Sequence, residues 1–168
     1  MIQSTYFYQD GSISLDIIYD VFEEIHNVID YTKPGDSSDT QPIILLRSTV
    51  TPGTTREIQK KYPIMRIVFN PEFLTERSAK LDFINQSRFV LGGSLGDTDS
   101  VARLYQWRFG KHIPVIKTNY ETAELIKYMN NTFFATKVSF MNEMKLVSDK
   151  IGATWEDCID GFSLDGRI

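Results

Sequence analysis

The chain has 168 residues and a mass of 19.3 kDa, with 18 basic against 22 acidic side chains and a formal net charge of −4. Its 42% hydrophobic and 24% charged content is that of a soluble globular protein with apolar side chain enough for a core, which excludes intrinsic disorder and collagen-like repeats. A pI near 5.2 with scattered basic residues argues against nucleic acid or an anionic membrane surface as partner, because both need a clustered positive field.

In chain order, residues 12 to 31 place Ile13, Leu15, Ile17, Ile18, Val21, Phe22, Ile25 and Val28 largely at helical spacing, before the breaker cluster Thr32-Lys33-Pro34-Gly35-Asp36. Ile43-Ile44-Leu45-Leu46 reads as a strand buried on both faces. A helix then starts with Thr51 as cap and Pro52 in its first turn and runs to about Tyr62. Met65 to Phe69 is the next strand, stopped by Asn70-Pro71, and Arg88 to Leu91 another. Gly92-Gly93-Ser94-Leu95-Gly96 lacks the G-x-G-x-x-G spacing and reads as a flexible turn. Asp97 to Phe109 is a helix with Val101, Leu104 and Tyr105 inward, and Ile113 to Ile116 a fourth strand.

This alternation predicts a mostly parallel, doubly wound α/β sheet, incomplete because the chain opens on an irregular stretch and goes straight into a helix. A strand left unpaired at such an edge invites aggregation or pairing with another chain. From Tyr120 to Lys150 there is no Pro or Gly, so the longest helix lies there, with Ile126, Met129, Phe133, Phe140, Met144 and Val147 on one side and Glu124, Lys127, Asn131, Asn142 and Lys145 near the other. Its apolar side calls for a partner helix, and a second copy of the chain is favoured. Gly152 ends it, and Trp155, Cys158, Ile159 and Phe162 mark one short final helix on whose apolar face Cys158 reads as a buried structural thiol. One cysteine forms no internal disulfide, and the distant His26 and His112 offer no metal-ligand spacing. No apolar run is long enough to span a bilayer and Met1 to Asp10 has no signal-like pattern, so the expected location is the cytoplasm.

Three segments could carry chemistry. Ser48 to Thr55 puts hydroxyls at the carboxyl end of a buried strand and at a helix mouth, where α/β sheets bind phosphates and carboxylates, or it is simply a capped turn. Glu72 and Glu76 would share a face if residues 70 to 76 curl into one turn, and paired carboxylates can hold a proton near neutral pH; the alternative is a solvated acidic loop. Lys127 and Asn131, one turn apart, could stabilise developing negative charge, or belong to a solvated helix face.

Together these segments resemble the UDP-glucose/GDP-mannose dehydrogenase family. The stretches that match are Asp10-Gly11-Ser12, Ser48 to Thr54, Asn70 to Glu76 with Ala79, Asp82-Phe83 and Arg88, Ala123 to Phe133 with Asn142-Glu143, and Asp165-Gly166-Arg167-Ile168. The resemblance implies NAD-dependent oxidation of a nucleotide sugar's primary alcohol to a carboxylate in two steps, through a thioester on a cysteine, in nucleotide-sugar metabolism and polysaccharide biosynthesis. By position, Lys127 and Asn131 would stabilise the oxyanion, while Glu72 and Thr49 handle water and protons. Phe73, Leu74 and Thr75 would contact substrate through their backbone, and Thr49 and Glu76 the NAD. Arg167 looks like the arginine that reaches a partner subunit's substrate, and the long helix, 120–150, like the family's dimer helix.

The family's Gly-rich fingerprint and its Gly-Gly-x-Cys segment have no match here, and Cys158 does not stand in the nucleophile's place. The expectation is therefore the second half of a cofactor domain over 1–118 and the start of a dimerisation domain over 119–168, inactive as an isolated chain. A different reading is a non-catalytic dimerisation module derived from that family.

Overall fold

The computed structural model describes residues 6–9, 11–29, 41–75 and 77–167. Asp10, the breaker cluster at 32–36, Glu76 and Ile168 lie outside them. Two compact units divide the chain, Met1–Lys127 and Tyr128–Ile168.

In the first unit the opening is not irregular. β1 (Tyr6–Phe7) and β2 (Ile13–Ser14) form a small antiparallel hairpin, and α1 (Asp16–Val28) follows. Its turn closes when the Gly11 amide donates to the Tyr8 carbonyl at 2.9 Å. β3 (Ile43–Leu46), α2 (Thr54–Lys61), β4 (Arg66–Phe69), α3 (Ala79–Ile84), β5 (Phe89–Gly93), α4 (Leu95–Phe109) and β6 (Val115–Thr118) then build a sheet of order β3-β4-β5-β6. β3 pairs β4 in parallel, and β5 pairs β6 in parallel. The central β4–β5 pair is antiparallel, so the sheet is mixed rather than uniformly parallel. The link between those strands, residues 70–88, carries the six-residue α3. Among the described residues β3 is an edge strand, bonded to β4 alone.

Alternate residues of the central strands feed two cores, as the period-two pleat requires. Ile67, Phe69 and Val90 pack with Ile18 and Phe22 of α1, Ile58 of α2, and Tyr120 and Ala123 on one face. Val68, Phe89 and Leu91 pack with Val101, Ala102 and Tyr105 of α4 on the other. Phe89 and Tyr105 stack with ring centroids 3.9 Å apart and planes 7° from parallel. Leu104 is exposed, and Ala102 fills the inward position expected of it. At 100° per residue Leu104 points away from the stripe that Thr98, Val101, Ala102 and Tyr105 bury.

Gly92 and Gly93 belong to β5 and are not a flexible turn. A Cβ on Gly92 would meet the Ala123 Cβ at 2.7 Å and the Asn119 carbonyl at 2.9 Å. The bare backbone lets α5 (Tyr120–Ile151) start directly against the sheet. In the second unit, the rest of α5 ends at Gly152, which takes the left-handed conformation at φ 73°. The Ala153 amide then donates to the Ser148 carbonyl at 3.0 Å, and α6 (Trp155–Ser163) follows. No described helix is long and apolar enough to cross a membrane.

Candidate functional site

The first turns of α5 deliver Lys127 to the end of β4. Its side chain is 9% exposed, and its Nζ donates to the Glu72 carbonyl at 2.6 Å. The ammonium also lies 5.6 Å from the centre of the Phe73 ring, and the Arg88 guanidinium lies 4.4 Å from the same ring. Burial pulls the Lys127 ammonium below the usual lysine range, while the nearby Glu72 charge acts in the opposite sense. The Glu72 carboxylate faces Arg47 at 3.5 Å, and Arg47 also covers the Phe83 ring at 5.4 Å. Residues 71–75 are not helical, and Glu72 is paired with a cation, while Glu76, the carboxylate expected beside it, lies outside the described residues. Three cations thus gather around two aromatic rings and one described carboxylate, a setting that stabilises negative charge on a bound group.

Two anchors hold the segment that carries Glu72 to Thr75. Buried Asn70 ends β4: its amide donates to the Leu46 carbonyl at 2.8 Å, its Nδ2 donates to the Val90 carbonyl at 3.0 Å, and its Oδ1 accepts from Tyr105 at 2.5 Å. Farther on, Asp82 accepts from the Thr75 amide at 2.8 Å and the Thr75 hydroxyl at 2.7 Å, and from Ser78 at 2.9 Å. Those donors hold the Asp82 carboxyl below its ordinary range. Any ligand contact at Thr75 must therefore use other atoms. Leu74 and Thr49 are half-buried, the latter just past the end of β3.

The helix mouth at residues 51–55 differs from the expected one. Thr51 does not cap; its hydroxyl pairs with that of Thr54 at 3.0 Å, and the helix starts at Thr54 after Gly53, held at φ 101°. The cap comes from α5. Fully buried Glu124 accepts from the Gly53 amide at 2.6 Å, the Thr55 amide at 2.8 Å and the Thr55 hydroxyl at 2.6 Å. The anion predicted for this helix end is thus the protein's own carboxylate. Glu124 and Lys127 do not lie on a solvated face: the start of α5 packs on the sheet through Tyr120 and Ala123, which turns both polar residues inward.

In the second unit, Asn131 is exposed on α5 and Arg167 forms a two-pronged pair with Asp165. Cys158 is exposed, not buried, and lines an apolar groove of about 250 Å³ between α5 and α6 with Met144, Trp155 and Phe162. The expected burial fails because no further described segment covers α6.

Comparison with known proteins follows this geometry. The model of the NAD-binding domain of the UDP-glucose/GDP-mannose dehydrogenases matches residues 4–107, and that of the family's central domain matches 121–168. The chain belongs to the UDP-glucose/GDP-mannose dehydrogenase family. An uncharacterized protein of Methanocaldococcus jannaschii is 37% identical over 95% of this chain and 18% of its own length. The UDP-glucose 6-dehydrogenase TuaD of Bacillus subtilis is 38% identical over 80% of this chain and 30% of its own length. A solved ternary complex of GDP-mannose dehydrogenase from Pseudomonas aeruginosa superposes with a TM-score of 0.83 at 25% identity, over 99% of this chain and 39% of that one. The chain spans less than half the length of these relatives.

NAD is the cofactor of this dehydrogenase family. Its pyrophosphate needs a cradle, and three described helix starts in unit one already carry side-chain caps. Glu124 fills the start of α2, the Ser94 side chain with Asp97 that of α4, and the Asn119 side chain that of α5. Those three starts are occupied by the protein's own oxygens, and the start of α1 carries no side-chain cap. Of the residues assigned to NAD by resemblance, Thr49 stands at the carboxyl edge of the sheet and Glu76 lies outside the described residues. Sequence reasoning missed Arg47 and the roles of Glu124 and Asp82. The one local signal for Asp82 was its spacing of four from Ser78, at which helical side chains meet; its contact with Thr75 has no such signal.

Proposed function

We propose that this chain is the segment of a nucleotide-sugar 6-dehydrogenase, of UDP-glucose or GDP-mannose type, that supplies the charge-stabilising half of the catalytic site. The observation that carries the reading is the buried Lys127 ammonium, held by a carbonyl and a ring instead of by a carboxylate. In the overall change the primary alcohol loses two hydrides in turn, and water supplies the second carboxylate oxygen. NAD is the hydride acceptor in both oxidations. Lys127 and Asn131 would donate to the oxygen on the reacting carbon as negative charge builds there. Glu72, with Thr49, would take the proton from the water that hydrolyses the thioester. The backbone of Phe73 to Thr75 and, from a partner subunit, Arg167 would hold the nucleotide sugar.

The cofactor domain would end near residue 118 and a cytoplasmic dimerisation domain begin there. Met129, Phe133, Phe134, Val138 and Phe140 are exposed along α5. That apolar surface favours a homodimer through the helix, and it equally supports a second reading, a dimerisation module without catalysis.

The 168 residues alone would not complete the oxidation, since their one thiol, Cys158, lies in the α5–α6 groove. Purified chain given NAD with UDP-glucose or with GDP-mannose should form no NADH. Turnover by the chain alone would overturn this account.

A further inference from the structure

The Glu124 carboxylate is a fully buried polar anchor of the first unit, and catalysis as proposed above does not use it. It is completely buried and receives three hydrogen bonds of 2.6 to 2.8 Å from Gly53 and Thr55. Its partners stand 71 and 69 residues away in the chain. A helix start is ordinarily capped by a neighbouring serine, threonine or aspartate, at no cost in long-range order. Thr51 was available, yet its hydroxyl is turned to Thr54. A buried carboxylate is tolerated only when its lone pairs are filled. The amides of α2 fill them, and the helix dipole adds to the attraction.

The consequence is a fixed relation between two elements that carry chemistry. One turn beyond Glu124 on α5 stands Lys127, and just before Gly53 stands the turn that carries Thr49. We propose that Glu124 is a positioning residue that locks the first turns of α5 to the start of α2, and so sets the placement of Lys127 at the Glu72 carbonyl and of Thr49 at the sheet edge. The proposal rests on the catalytic reading of Lys127 and Thr49. Two further links join the same helices, the Tyr120 hydroxyl donating to Gln59 at 2.9 Å and the exposed pair of Arg56 with Glu121 at 2.9 Å. The ion pair, being solvated, contributes little to that placement, which makes it the natural control.

The test reads the Lys127 environment directly in the 168-residue chain. The ε-carbon of Lys127 is titrated by NMR, with its signal assigned by its loss in Lys127→Met, and thermal melts are recorded alongside. Glu124→Gln keeps the shape but loses the charge and an acceptor for one of the donors. In it the Lys127 titration should move up, toward that of a solvated lysine, as the loosened helix lets water reach the ammonium. Thr55→Val removes one of the three bonds and should give a smaller shift in the same direction. Glu121→Gln should leave the titration where it is.

An unmoved Lys127 titration in folded Glu124→Gln, whatever its melting temperature, would reduce Glu124 to a structural cap and overturn the proposal. If Glu124→Gln does not fold, Thr55→Val decides by the same criterion. An equal shift in Glu121→Gln would also overturn it, since any loosening of the two helices would then suffice. No nucleotide sugar or NAD enters the measurement, so failure here leaves the dehydrogenase reading standing, and failure of that reading leaves the tether.

Discussion

Lys127 approaches Phe73 from the face of the ring, 5.6 Å from its centre, while its Nζ donates to the carbonyl of the preceding residue. A ring face and a carbonyl hold an ammonium without neutralising it, at about 0.5–2 kcal/mol for the ring contact. The positive charge is therefore still available to a developing anion. Lys127→Met should fold with stability within about 1 kcal/mol of the parent in urea denaturation, because one buried charge and one hydrogen bond are lost together. In an assembled dehydrogenase the same change should lower NADH formation about 10²–10³-fold.

Gly92 is where the sheet admits α5. Gly92→Ala would drive a methyl group against the Ala123 Cβ and the Asn119 carbonyl, both closer than 3.0 Å. The clash is with backbone and with a side chain that cannot rotate away. Urea denaturation should show a loss of ~1–3 kcal/mol, and the Gly96→Ala control, where nothing lies within 4 Å, should show almost none.

Tyr105 and Asn70 form a buried pair at 2.5 Å that anchors the end of β4. Tyr105→Phe keeps the stack on Phe89 and strands the Asn70 Oδ1. The expected loss is about 1–3 kcal/mol by chemical denaturation, the cost of an unsatisfied buried acceptor.

Asp82 predicts a pH dependence. Its folded carboxyl lies below the ordinary 3.8 because Thr75 and Ser78 donate to it. The folded state thus binds this proton less readily than the unfolded state does, and stability from the group is complete above that value and disappears as pH falls through the depressed one. Thermal melts of the parent and of Asp82→Asn should differ at pH 6 and converge in strong acid. A difference that persists at pH 2 would contradict the assignment.

Periodic segments were legible in the sequence. α1, α4, β3 and β4 fall where apolar spacing and the Asn70-Pro71 stop put them, because local pattern and burial agree there. The antiparallel β4–β5 pairing was hidden, since nothing in either strand's own residues encodes the direction of its neighbour. Glu124 read only as a member of the polar side of the long helix for a related reason: helical projection sorts residues by polarity, and a buried carboxylate on that side is revealed only by the amides waiting for it across the fold. Cys158 erred in the opposite direction, its apolar neighbours implying a cover that no described residue supplies. Lys127 was placed by motif, but its partners, the Glu72 carbonyl and the Phe73 ring, are a matter of tertiary geometry.

The central claim is that these residues supply the charge-stabilising half of a nucleotide-sugar dehydrogenase site. Its most direct test is a chimera in which this chain replaces the corresponding segment of the Bacillus subtilis UDP-glucose 6-dehydrogenase. Supplied with NAD and with UDP-glucose or GDP-mannose, the folded chimera should form two NADH for each sugar oxidised, and its Lys127→Met form should lose that activity. A folded chimera that binds NAD and forms no NADH with either nucleotide sugar, or one whose activity survives Lys127→Met unchanged, would contradict the account.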